Sequence, residues 1–230
     1  MANIHFIGGE KGGVGKSLLA RLLAQYMIDN EVPFLGFDTD RSHAALMRFY
    51  AGYASPILID RVEALDAIVE AAVAQPERRI LVDLAAQTHD SLVRWMDDAG
   101  VLDLADEMQL EVVYWHVMDA GRDSVDLLTM LLDRFGTGVS YVLVRNQVRG
   151  GDFSVLERSG EQARAEELGA KVITIKHLNA GAIQKIDASS SSFWKARTAQ
   201  DDGTGLGLMD RQRVKMWLRD VYREIDEVGI

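Results

Sequence analysis

An α/β fold, with a mostly parallel twisted sheet of about seven strands and helices on both faces, is predicted by three features of this 230-residue chain. Short apolar runs alternate with longer stretches of helical period, and right-handed crossovers between parallel strands place such helices on both sides of a sheet. The short runs are apolar at consecutive positions, as strands covered on both faces are. Hydrophobic residues make up 48% of the chain, enough to fill the core such a sheet needs.

The elements follow in order. Asn3–Ile7 reads as a buried strand that stops at Gly8-Gly9. Ser17–Asp29 carries Leu18, Leu19, Leu22, Leu23, Tyr26 and Met27 as a helical stripe ending near Asn30. Pro33–Phe37 is a second strand, closed by Asp38-Thr39-Asp40, and Val62–Ala74 is helical. Arg79–Leu84 is a third strand and contains Asp83 near its end. Leu110–Val117, Val139–Val144 and Lys171–Ile175 read as further strands, with helical stretches near Asp90–Leu104, Ser124–Phe135 and Ser154–Leu168. A last helix, about 209–228, turns Val214, Trp217, Leu218, Val221 and Ile225 to one side. No repeat or linker divides the chain, so residues 1–230 are expected to form one domain.

Composition removes several classes. There is no cysteine, which excludes disulfides, iron–sulfur clusters, cysteine nucleophiles and thiolate zinc sites. No run approaches the length of a membrane span, and the N-terminus lacks the charged and apolar regions of a secretion signal. A cytoplasmic protein is expected. Net charge is −10, but residues 171–230 hold 10 basic and 8 acidic residues, against 15 and 27 before them. That tilt leaves room for a local basic face, or simply for a solvated helix.

The first strand runs into Gly8-Gly9-Glu10-Lys11-Gly12-Gly13-Val14-Gly15-Lys16-Ser17 and then a helix. Glycines let successive backbone N–H groups point inward at anionic oxygens, and a helix N-terminus behind them adds to the attraction. Gly12, Gly13, Val14 and Gly15 would form this cradle, Lys16 would reach the phosphates, and Ser17 would bind Mg²⁺. Ligands of open α/β sheets sit at the carboxyl ends of the strands, so Asp38, Asp40 and Asp83 should face the Lys16 loop. A single aspartate at a strand end commonly caps a turn. Three at successive strand ends behind a glycine loop point instead to metal and water chemistry.

The stretch Lys11-Gly12-Gly13-Val14-Gly15-Lys16-Ser17, with glutamate where a strict phosphate loop has its first glycine, resembles the deviant Walker A loop of the ParA/MinD family of P-loop ATPases. The resemblance is closer to the plasmid-partition members. It implies ATP and Mg²⁺ as cofactors, slow hydrolysis stimulated by a protein activator or cargo adaptor, and a homodimer in the ATP state. Lys11 would then reach the nucleotide of the other subunit. Asp38-Thr39-Asp40 resembles the first switch of that family, spanning 38–43, with Asp38 ordering the water shell of Mg²⁺ and Asp40 the attacking water. Asp83 resembles the Walker B aspartate opening a second switch, 83–88. The chain departs from the family at Arg41-Ser42-His43 and at Asp83-Leu84-Ala85-Ala86, which has no proline. Asn146 follows the strand Val139–Val144; it either ends that strand or, as the resemblance implies, reads the adenine edge, and the stretch Lys176–Ile183 would close over the base.

The five histidines are scattered without ligand spacing. Between Asp210 and Glu227 the last helix holds five basic residues, among them Arg211, Arg213, Lys215 and Arg219, and five acidic ones. The balance favours docking against the body over a membrane-seeking face. Non-specific DNA binding through basic residues after 170 is the expected partner interaction. The alternatives are a dethiobiotin-synthetase-like ligase, against which Lys11 argues, and a MinD-like membrane-associated ATPase.

Overall fold

The computed structural model describes residues 3–9, 12–147, 150–198 and 205–229. Lys11, expected in catalysis, lies outside the described residues, as do Glu10 and the first part of the late glycine-rich stretch. Seven strands form one sheet: β1 (Asn3–Gly8), β2 (Phe34–Asp38), β3 (Ala54–Pro56), β4 (Arg79–Asp83), β5 (Glu111–Met118), β6 (Ser140–Asn146) and β7 (Lys171–Ile175). Their order is β3-β2-β4-β1-β5-β6-β7, and every pairing is parallel.

The helices are α1 (Lys16–Asp29), α2 (Ala45–Phe49), α3 (Val62–Ala74), α4 (His89–Asp98), α5 (Val101–Glu107) and α6 (Arg122–Phe135). They continue with α7 (Ser154–Ser159), α8 (Glu161–Glu167), α9 (Ala180–Ala188), α10 (Phe193–Thr198) and α11 (Leu208–Val228). Alternate strand residues feed two separate cores, as the two-residue period of a strand requires. Ile4, Phe6, Ile80, Val82 and Tyr114 pack with α3, α4 and α6. Ile7, Leu81, Trp115, Val142 and Val144 pack on the other side with α1, α10 and α11. Burial on both faces explains why these strands read as continuous apolar runs.

Two expected helices are each split in two. The stretch near Asp90–Leu104 becomes α4 and α5, broken at Gly100 with φ 60°, and Ser154–Leu168 becomes α7 and α8, broken at Gly160 with φ 80°. At both, glycine takes the left-handed conformation that ends one helix and starts the next. The Lys176–Ile183 stretch is loop only as far as Asn179, whose side chain accepts from the Ala182 amide and caps α9.

Candidate nucleotide site

The central strand β1 lies between β4 and β5 and delivers the chain to the glycine loop at the carboxyl edge of the sheet. Gly15 opens α1 with φ 105°, and a Cβ there would stand 1.9 Å from Asn146 Nδ2. No other residue fits both the conformation and the space. The first turn of α1 has no side-chain cap and no acidic residue, so its amide dipoles are left for an anion. Lys16 is buried at the head of this helix, and Ser17 follows it half-buried.

Asp38 and Asp83 are register neighbours on β2 and β4, and both are buried. Asp38 Oδ1 accepts from the Asp40 amide at 3.0 Å, and Oδ2 from the amides of Leu46 at 2.9 Å and Met47 at 3.3 Å. It thereby holds the 38–47 turn and the start of α2. Burial raises its pKa, and the three amides pull back without cancelling that effect. Asp83 differs. Neither of its carboxylate oxygens has a hydrogen-bond partner among the described residues. Burial, followed by the nearby charge of Asp38, pushes it up to about 7 against the opposing pull of the Ser17 hydroxyl and Lys16 ammonium.

Such an unpartnered buried carboxylate, set beside a hydroxyl and a phosphate loop, suits a hard divalent cation. Among the described residues no cluster of three or more histidine, aspartate or glutamate side chains forms a metal cage. A magnesium ion here would complete its shell from phosphate and water, as magnesium ordinarily does.

Asp40 is turned back on its own loop. Oδ1 accepts from the amides of Ser42 at 2.8 Å and His43 at 3.1 Å, and Oδ2 lies 3.2 Å from His43 Nδ1. Burial is the largest influence and pushes its pKa up, but these amides and the imidazole together outweigh it, so the net shift is downward. Two backbone positions near the site take the left-handed conformation without being glycine, Ala44 with φ 40° and Gln87 with φ 61°.

Thr39, unremarked between two aspartates, joins the two aspartate-bearing segments. Its hydroxyl donates to the Asp83 carbonyl at 3.1 Å and accepts from the Ala85 amide at 2.7 Å, while its own amide donates to the same carbonyl at 3.0 Å. The signal available in the sequence was a hydroxyl at the strand end facing a neighbouring strand end.

Asn146, on β6, reaches the loop from the other side. Its Nδ2 donates to the Val14 carbonyl at 2.7 Å, so in this structure the side chain braces the glycine loop. Next to Gly15 opens a cavity of about 180 Å³, lined by Leu18, His177, Leu178, Ile183 and Trp217. Arg21 and Asp187 stand at the same cavity and form an ion pair at 2.8 Å. Arg21 is buried, with its guanidinium 3.5 Å from the centre of the Phe49 ring. These two residues are 166 positions apart and escaped sequence reading; the cue was a lone arginine inside an apolar helical stripe. The structure thus brings Gly12, Gly13, Val14, Gly15, Lys16, Ser17, Asp38, Asp40, Asp83 and Asn146 to one end of the sheet.

The last helix lends Trp217 to this cavity, and its basic face is interrupted. Arg213 and Lys185 both bind Asp210, at 2.9 and 2.7 Å, Arg223 is paired with Asp220, and Arg211 donates to the Leu206 carbonyl.

In its phosphate-loop sequence the chain resembles ParA/MinD-like P-loop proteins. No protein-family profile matches it. It is 27% identical over 242 residues to Protein TraL of Escherichia coli, an alignment covering all of both chains. It is 26% identical over 176 residues to Protein MobD of Acidithiobacillus ferrooxidans, spanning 75% of this chain and 76% of that one. A putative plasmid partition protein from Borrelia burgdorferi, solved bound to AMPPNP, superposes with a TM-score of 0.51 at 12% identity. The superposition covers 95% of this chain and 99% of that one and shows a shared fold.

Proposed function

We propose that this chain is a Mg²⁺–ATP-dependent dimerisation switch that hydrolyses ATP slowly and positions a plasmid or other cargo in the cytoplasm. The observation that carries the reading is Asp83: a fully buried carboxylate without hydrogen-bond partners among the described residues, beside Ser17 and Lys16. A buried unpaired carboxylate is costly, and a bound cation offsets that cost. Lys16 and the loop amides would hold the phosphates, with Ser17 on the metal and Asp83 and Asp38 on its waters.

Asp40 would turn from its own loop amides to orient the attacking water, and Lys11 would stabilise charge on the nucleotide of the other subunit. The base would enter the cavity beside Gly15, against Leu18 and the 176–183 stretch, with Asn146 close by. The reading takes 1–230 as a single nucleotide-binding unit. Among the described residues no helix is long and apolar enough to cross a membrane. A DNA track through the cations after residue 170 gains little from α11, where most arginines already hold a carboxylate or carbonyl. The reading keeps a protein activator or cargo adaptor as a partner.

Lys16→Ala should abolish binding of a fluorescent ATP analogue; parent-like affinity would reject the phosphate-loop assignment. Light scattering should show the mass doubling with Mg²⁺–ATP but not with Mg²⁺–ADP, and Lys11→Ala should remain monomeric. A mass indifferent to nucleotide would reject the switch.

A further inference from the structure

We propose that Asn146 is a positioning residue that keeps the phosphate loop in its anion-binding shape whatever base the nucleotide carries, and that it does not read adenine. The inference rests on the nucleotide reading above and adds which part of the ligand each strand end serves.

A glycine loop binds an anion only while its N–H groups face the ligand and its carbonyls face away. A carbonyl turned away into the protein then needs a donor of its own. Val14 is buried, and the donor that meets its carbonyl is Asn146 Nδ2, at 2.7 Å. The same nitrogen stands 1.9 Å from where a Gly15 Cβ would be, so the amide seats directly against the backbone that leads into α1. The start of the loop is fixed as closely. A Cβ on Gly9 would stand 2.6 Å from the Val117 carbonyl, near the end of β5. Between these two anchors, a Cβ on Gly12 would meet nothing within 4 Å among the described residues. Neighbouring strands thus hold both ends of the loop and leave its middle open to a ligand.

An amide that reads adenine turns both its N–H and its C=O to the edge of the base. Asn146 is 1% exposed, its nitrogen is turned to the loop, and it is not among the described residues that line the cavity beside Gly15. The base-facing segment begins one strand further out. Asn146 is the register partner of Ile175, the last residue of β7. The chain beyond Ile175 supplies His177, Leu178 and Ile183 to the cavity. Two adjacent strand ends therefore divide the work: β6 braces the loop for the phosphates, and β7 leads to the walls for the base.

The test is isothermal titration calorimetry of the full chain in Mg²⁺ buffer with three ligands. They are ATP, purine riboside triphosphate, whose ring lacks the 6-amino group, and inorganic tripolyphosphate, which has no base. Asn146→Ala should weaken all three by the same factor, roughly tenfold, as loss of one hydrogen bond to a buried carbonyl would. Asn146→Asp keeps the size of the side chain but sets carboxylate oxygen against the Val14 carbonyl, and should again weaken all three equally. Leu178→Ala, on the base side, should weaken the two nucleotides and spare tripolyphosphate. A loss confined to ATP in the Asn146 variants would overturn the proposal and leave the nucleotide reading standing. Unchanged affinity with fewer binding sites per chain would show that Asn146 only supports folding, and would overturn it too. A parent that binds none of the three would overturn the nucleotide reading, and this proposal with it.

Discussion

The ends of β2 and β4 carry the same residue at the same register, and the two aspartates are used differently. Asp38 takes up three backbone amides and shapes the segment that follows it. Asp83, adjacent on the next strand, has no hydrogen-bond partner among the described residues. The first is an internal brace whose requirements the fold meets, so any water it orders must use lone pairs the amides leave over. The second is a buried charge whose requirements the fold leaves open. Position at a strand end brings an acid to the site, but only its surroundings decide whether it serves the loop or a ligand.

The largest effect that separates the two concerns metal-dependent binding. Asp83→Asn keeps the shape and removes the charge, so Mg²⁺-dependent nucleotide affinity should fall by about 100-fold or more, worth roughly 3 kcal/mol. The ligand-free protein should meanwhile melt no lower than the parent, because an unpaired buried charge has gone. A variant that melts well below the parent and still binds Mg²⁺–nucleotide would invert the assignment. Asp38→Asn is expected to do the reverse. Weakening three amide contacts and placing amide hydrogens near amide donors should cost about 2 kcal/mol in urea unfolding, with a smaller loss of nucleotide affinity. Unchanged stability would show that the 38–47 turn does not depend on that carboxylate.

Much of this arrangement was legible in the chain because its signals are local. Apolar runs mark six strands, the glycine loop marks the site, and aspartates at strand ends mark its acidic side. The missed elements lack such signals. β3 is only three residues, Ala54–Pro56, too short for alternation to show. α2 covers five residues and starts from left-handed Ala44, held by the remote Asp38 carboxylate and not by a local cap. The breaks at Gly100 and Gly160 were visible as glycines inside helical patterns. The Arg21–Asp187 pair and the Asn146–Val14 bond join residues more than 130 positions apart, and no single sequence carries their partnership.

The smallest effect is on pH dependence, and it isolates Asp83 from the other buried titrating groups. Burial puts Asp83 at about 7 in the folded chain, against 3.8 for an ordinary aspartate. Between those values the folded chain keeps a proton that the unfolded chain has released, so this group's contribution to stability falls as pH rises and levels off above about 7. His5 and His116 act oppositely. Burial lowers them to about 3 and about 4 from 6.5, so the unfolded chain takes up protons that the folded chain refuses, and stability rises with pH, most steeply below about 6.5. Between about pH 6.5 and 7.5 the two histidines of the unfolded chain are still releasing their remaining protons, and the rise they give nearly offsets the fall from Asp83. In Mg²⁺-free buffer, the unfolding free energy of the parent should therefore stay nearly level between about pH 6.5 and 7.5, falling by roughly half to one kcal/mol relative to Asp83→Asn. Asp83→Asn should instead go on rising through that segment, along the limb set by the histidines. In Asp38→Asn the loss of a neighbouring negative charge should move the segment to lower pH. A parent curve that rises in parallel with that of Asp83→Asn would mean that Asp83 is already ionised in the ligand-free protein, and its contrast with Asp38 would then lie in geometry alone.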